Sequence, residues 1–177
     1  MMKEEGLGLV QVYTGDGKGK TTAALGLALR AAGHGLRTYV GQFMKGQEYG
    51  ELEAIKRLSP LITIEQFGQQ GFVHVEQATA QDEALAHSGL ERVRQALHSG
   101  EYDIVIMDEI NVALFFGLLT VDEVLAVVGG RPPDVELVLT GRRVPEGIIA
   151  HADLVTEMRE VKHPFQRGIK ARRGIEY

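Results

Sequence analysis

The sequence predicts an α/β fold, a doubly wound, mostly parallel sheet with helices on both faces. Three observations carry the prediction. Short β-rich runs alternate with longer helical patterns along the chain. One run, Ile104-Val105-Ile106-Met107, is apolar without alternation, as expected of a strand covered on both sides. A glycine-rich loop joins the first β-rich run to the first helical stretch, and in folds of this class ligands bind outside the carboxyl ends of the strands.

Taken in order, strands are expected at Leu9–Tyr13, Thr38–Phe43, Leu61–Phe67, Asp103–Met107, Val135–Leu139 and Leu154–Met158. A helix over Thr21–Ala32, rich in Ala and Leu, stops at Gly33 and Gly35. Glu76–Leu97 is long enough for several helical turns. Thr120 and Glu123 have the spacing of a capping box that opens a helix through Val128. Gly129, Gly130, Pro132 and Pro133 then end that helix and turn the chain toward the next strand. Without repeat, low-complexity tract or linker, the 177 residues are expected to form a single nucleotide-binding domain.

Composition narrows the chemistry. A net charge of −5 argues against nucleic acid as the main partner, although basic patches occur near Arg142 and Arg143 and between Lys162 and Arg173. The absence of cysteine excludes disulfides, thiolate zinc sites, iron–sulfur clusters and a cysteine nucleophile. The longest nearly unbroken apolar run, Val112–Val121, is too short to span a bilayer, and residues 1–8 lack a signal-type apolar stretch. A cytoplasmic location without membrane partners is expected.

The strongest local motif is Thr14-Gly15-Asp16-Gly17-Lys18-Gly19-Lys20-Thr21-Thr22, placed between a strand and a helix as a phosphate-binding P-loop requires. Glycines let the backbone curl so that N–H groups converge on phosphate oxygens, and the new helix adds its positive end. Lys20 supplies a mobile cation, and Thr21 stands where a magnesium ligand belongs. Counted from Gly15 the loop is one residue short, with Thr14 at the usual first glycine. A dinucleotide fingerprint fails because Lys20 takes the place of its last glycine. The pair Asp108-Glu109, closing the apolar strand, is suited to hold Mg2+ or its waters. By position alone, Arg142 in Thr140-Gly141-Arg142 reads equally as a phosphate contact or a surface arginine in a turn.

From Gly15 through Ala24 the loop resembles that of the ATP:corrinoid adenosyltransferases of the cobalamin-biosynthetic type, the cob(I)yrinic acid a,c-diamide adenosyltransferase family, shortened form included. The likeness continues through Gly33-His34-Gly35, Gln42-Phe43-Met44-Lys45-Gly46 and Met107-Asp108-Glu109. It resumes at Leu139-Thr140-Gly141-Arg142, Ala152-Asp153, Val161-Lys162-His163-Pro164-Phe165, Gly168-Ile169-Lys170-Ala171 and Gly174-Ile175-Glu176-Tyr177.

The resemblance implies a P-loop NTPase architecture of RecA-like type, a homodimer, and transfer of the 5′-deoxyadenosyl group of ATP to a reduced corrinoid with loss of tripolyphosphate. It puts Lys20 and the amides of Thr14 to Thr22 on the triphosphate, Thr21 and Glu109 on Mg2+ beside Asp108, and Arg142 on phosphate. It also implies ATP bound in reverse relative to kinases. Corrinoid contact is implied for the loop Phe67–Val75, where Phe72 matches an aromatic that displaces the lower axial ligand of cobalt(II). His74 stands where the family has tryptophan. Longer members carry an N-terminal helical extension over the partner subunit's site, whereas about eight residues precede the first strand here. The expected partners are ATP, the corrinoid, a second copy, and an electron donor such as a reduced flavoprotein.

Two other classes fit the same motifs. A RecA-like ATPase or small-molecule kinase is one alternative, in which Glu109 beside Asp108 would orient an attacking water and hydrolysis would give ADP and phosphate. A corrinoid- or nucleotide-binding carrier would bind without turnover.

Overall fold

The computed structural model describes residues 6–47, 50–69 and 78–176. Strands β1 (Val10–Thr14), β2 (Thr38–Phe43), β3 (Ile62–Phe67), β4 (Ile104–Asp108), β5 (Glu136–Thr140) and β6 (Leu154–Glu157) form one sheet in the order β3-β2-β4-β5-β1-β6. Every pairing is parallel. The helices are α1 (Lys20–Ala32), α2 (Gly50–Lys56), α3 (Ala80–His98), α4 (Ile110–Phe115), α5 (Val121–Gly130) and α6 (Glu146–Ile149), followed by a 3-10 turn at Pro164–Arg167. The doubly wound, P-loop NTPase-type architecture read from the sequence is therefore present.

Alternate residues of each central strand feed two separate cores. Ile104, Ile106, Val40 and Val138 pack with Ala24, Ala28 and Ala31 of α1 and Ile55 of α2. Val105, Met107, Leu137 and Leu139 pack on the other face with residues of α3, α4, α5 and α6. All five residues of β4 are buried, which is why its sequence shows no alternation. The face that α1 turns to the sheet is made of alanines, Ala24, Ala28 and Ala31. On the opposite side, Gly89 of α3 sits over the rings of Phe67 and Phe43.

The expected strands are all present, most of them ending a residue from the expected place. Strands β4 and β5 each run one residue further than expected, because Asp108 pairs with Gln42 of β2 and Thr140 with Tyr13 of β1. Their side chains are buried and bonded to each other. Helix α3 begins later than its expected start at Glu76. Thr79 caps it, accepting from the Asp82 N–H at 3.3 Å while the Asp82 carboxylate accepts from the Thr79 N–H at 2.9 Å. The Thr120–Glu123 capping box of α5 forms as its spacing requires. Short helices α2, α4 and α6 lack enough turns to produce a periodic pattern. Among the described residues, no helix is long and apolar enough to cross a membrane.

Candidate nucleotide and metal site

The loop between β1 and α1 runs along the carboxyl edge of the sheet. Gly15 and Gly19 have φ of 94° and 120°, and a Cβ on Gly15 would lie 2.4 Å from the Met158 carbonyl oxygen. Gly17 is as tightly placed, its N–H donating to that same oxygen at 2.6 Å. The glycines thus serve two ends: an unusual backbone path, and direct packing against the segment that follows β6.

Helix α1 opens differently from α3 and α5. Its cap is Gly19, no side chain bonds to its first turn, and that turn holds no acidic residue. A 13-residue helix with its N-terminal amides left without side-chain acceptors is suited to an anion. Lys20, buried in the first turn, donates from Nζ to the carbonyls of Gly15 and Gly17, each at 2.7 Å. Burial lowers its pKa, and the neighbouring Arg142 adds to that effect, while Glu109, Asp16 and Asp108 oppose it. Asp16, Lys18 and Thr22 are exposed. Lys18 turns away from the loop and pairs with Glu176 at 2.9 Å.

Four side chains converge on Asp108 at the end of β4. Its Oδ1 accepts the hydroxyls of Thr21 at 2.9 Å and Thr140 at 2.7 Å. Its Oδ2 accepts Gln42 Nε2 at 3.1 Å and Lys45 Nζ at 2.7 Å. Gln42 is itself held by Gln66, whose Nε2 donates to Gln42 Oε1 at 3.0 Å. The carboxylate is 1% exposed, so this set of donors is what makes its charge tolerable in the interior.

Glu109 is built on other terms. It adopts a left-handed conformation, φ 61°, between β4 and α4, and its N–H is taken by the Thr140 hydroxyl at 2.9 Å. Burial raises the pKa of its carboxyl and Asp108 raises it further, while Lys45, Lys20 and Arg142 pull it down. Such strain in a non-glycine residue needs surrounding structure to hold it, and it leaves this carboxyl near enough to Lys45, Lys20 and Arg142 to feel their charge. Arg142 is exposed at the rim, near enough for its charge to act on both Lys20 and Glu109. Gly141 before it has φ 128° and lies against Asn111 of α4, where a Cβ would come within 3.0 Å. Arg143 is occupied elsewhere, with its guanidinium 4.3 Å from the centre of the Phe115 ring.

The donors suit a hard divalent cation. They are oxygens of one hydroxyl and two adjacent carboxylates, and an ammonium group already lies against two of them, Thr21 Oγ1 and Asp108 Oδ2. Among the described residues no three His, Cys, Asp or Glu side chains gather into a cage. Oxygen donors of this kind fit Mg2+, which is commonly held by one or two carboxylates together with substrate phosphates.

The sequence profile of the ATP:corrinoid adenosyltransferase BtuR/CobO/CobP family matches residues 6–177. This chain belongs to that family. It is 39% identical over 171 residues to a corrinoid adenosyltransferase of Pseudomonas aeruginosa, covering 96% of this chain and 84% of the relative. The Escherichia coli corrinoid adenosyltransferase is 37% identical over 171 residues, with coverage of 96% and 86%. A Salmonella typhimurium relative of the same description is 37% identical over 175 residues, covering 98% and 88%. The chain is thus an enzyme of the corrinoid adenosyltransferase class.

In this adenosyltransferase the fold brings together Lys20, Thr21, Asp108, Glu109 and the rim residue Arg142. Phe72 and His74 lie outside the described residues. Three participants escaped sequence reasoning as site residues: Gln42, Lys45 and Thr140. All three occur in segments that carried the family resemblance, but only the pairing of β2 and β5 with β4 shows them meeting at Asp108.

Proposed function

We propose that this enzyme transfers the 5′-deoxyadenosyl group of ATP to the cobalt of cob(I)alamin or cob(I)yrinic acid a,c-diamide and releases tripolyphosphate. The observation that carries the reading is the 2.9 Å bond from Thr21 to Asp108, which joins the phosphate loop to the acidic strand end in one site. The cobalt(I) of the substrate supplies an electron pair to C5′ and becomes cobalt(III). The C5′–O bond breaks, and its electrons leave on the triphosphate. No proton moves in this step, so the protein need not provide a nucleophile or a base. Its work is to orient C5′ and to stabilise charge on the leaving group.

The residues divide that work as follows. The amides of Thr14 to Thr22 and the uncapped start of α1 receive phosphate oxygens. Lys20 turns its Nζ from the Gly15 and Gly17 carbonyls onto them, and Arg142 reaches them from the rim. Thr21 and Glu109, with Asp108 beside them, would hold Mg2+, which would supply positive charge at the triphosphate. Asp108 accepts the Thr21 hydroxyl proton, which would leave that oxygen's lone pairs available to a metal ion. Phe72 and His74 contact the corrinoid in this reading. One domain works within a cytoplasmic homodimer, and a reduced flavoprotein serves as electron donor.

The test is anaerobic incubation with ATP, Mg2+ and chemically reduced cob(I)alamin. Light-sensitive adenosylcobalamin and an equal amount of tripolyphosphate are expected. ADP and phosphate as the only products would overturn the reading in favour of an ATPase or kinase. Lys20→Ala should lower turnover about 100-fold or more, because the leaving group loses a preorganised cation.

A further inference from the structure

Lys45 Nζ lies 2.7 Å from Asp108 Oδ2 and 3.3 Å from Thr21 Oγ1. The Thr21 hydroxyl donates its single proton to Asp108 Oδ1, so what it offers Lys45 is a lone pair. A lone pair of the same oxygen is what a metal ion at Thr21 would need. Lys45 is ion-paired with the buried Asp108 carboxylate, so this neighbour of Thr21 is an ammonium cation.

The backbone around Lys45 is built to station it there. Met44 takes a left-handed conformation, φ 60°, immediately after β2. Gly46 and Gly68 then allow the segments following β2 and β3 to touch through their main chains. A Cβ on Gly46 would lie 2.2 Å from the Gly68 carbonyl oxygen, and one on Gly68 would lie 2.5 Å from the Lys45 nitrogen. Strain of this kind in a non-glycine residue persists only where surrounding contacts over-determine it.

We infer that Lys45 is a place-holding cation of the metal site, keeping Thr21 and Asp108 in register and giving up Thr21 Oγ1 to the metal that enters with ATP. The inference rests on the nucleotide-site reading above. An ammonium and a divalent ion repel each other at this separation, so both cannot remain on Thr21 Oγ1. Lys45 keeps its bond to the buried Asp108, whose charge would otherwise lose its one cationic hydrogen-bond partner among the described residues. Lys45 thus acts as a positioning residue that also competes with the metal.

The competition can be read without turnover. Mn2+ is titrated into the chain at saturating ATP, without corrinoid, and free Mn2+ is followed by electron paramagnetic resonance. Lys45→Gln, which retains a donor for Asp108, and Lys45→Met should each bind Mn2+ at least about tenfold more tightly than the parent chain, since one repelling charge is gone. Lys56→Gln, which removes a lysine charge from α2, should not. Unchanged or weaker Mn2+ binding by a folded Lys45 variant overturns the inference. Saturable Mn2+–ATP binding by the parent chain in the same series leaves the nucleotide site standing in that case. Its absence from the parent overturns both readings.

Discussion

Thr140, the last residue of β5, donates its hydroxyl to Asp108 Oδ1 at 2.7 Å and accepts the N–H of Glu109 at 2.9 Å. One side chain therefore fixes both members of the acidic pair, one through its carboxylate and the other through its backbone. Thr140→Val keeps the shape and removes both bonds, leaving a buried acceptor short of a donor and an N–H unpaired. A loss of about 1–3 kcal/mol is expected from urea unfolding. Thr140→Ser should retain most of the stability, and a Val variant as stable as the parent would show that the hydroxyl is dispensable.

Asp108 and Glu109 are adjacent in sequence but should separate in experiment. Asp108→Asn turns an amide against the donors of Gln42 and Lys45, and should cost about 3 kcal/mol or more in stability. Glu109→Gln removes a carboxyl whose ionised form burial disfavours, so its stability should stay within about 0.5 kcal/mol of the parent. Its Mg2+-dependent turnover should nevertheless fall about 100-fold or more. Paired urea and rate measurements check this, and equal stability losses would contradict the division of roles.

Gly89 lies in the interior of α3, where alanine would ordinarily favour the helix by about 1 kcal/mol. Here a Cβ would come within 2.7 Å of Phe67 Cγ and 2.9 Å of Phe43 Cε1. Overpacking should win, giving Gly89→Ala a net loss of about 1–2 kcal/mol in urea unfolding. A stabilised variant would mean that the two rings yield readily.

His87 links α3 to α5, with Nε2 3.1 Å from Glu123 Oε1. The Glu83 carbonyl beside Nδ1 raises the His87 pKa, and Glu123 adds to the rise. Thr120, by donating to it, holds Glu123 down at about 2, so that carboxylate stays ionised throughout the relevant range. Because the folded pKa of His87 is raised, its stabilising effect is complete below the ordinary histidine value of about 6.5 and disappears as pH rises through the folded value. The parent should therefore exceed His87→Gln by a few tenths of a kcal/mol at about pH 5.5, the size expected of an exposed pair, and lose that advantage at about pH 8.5. Parallel urea melts at the two pH values check the sign, and a larger gap at the higher pH would contradict it.

Much of the site was legible because its chemistry is local. The run Gly15 to Thr22 must curl and then start a helix, and those requirements act over a few residues. The continuous apolarity of Ile104–Met107 likewise announces a strand buried on both faces, and Asp108-Glu109 follows it directly. Thr79 with Asp82 was overlooked although its spacing is that of a capping box, and α4 is too short to show periodicity.

The sequence by itself determined the alternation of strands and helices, the glycine-rich loop between β1 and α1 and the acidic strand end, since each depends on backbone preference and burial over short stretches. Only the tertiary structure decided that Thr21, Gln42, Lys45 and Thr140 share one carboxylate. Those residues come from three separate segments, and they meet because β4 lies between β2 and β5 with every strand running the same way. Strand order is set by how helices cover the two faces of the sheet, a property of the whole packed chain that no local run of residues encodes.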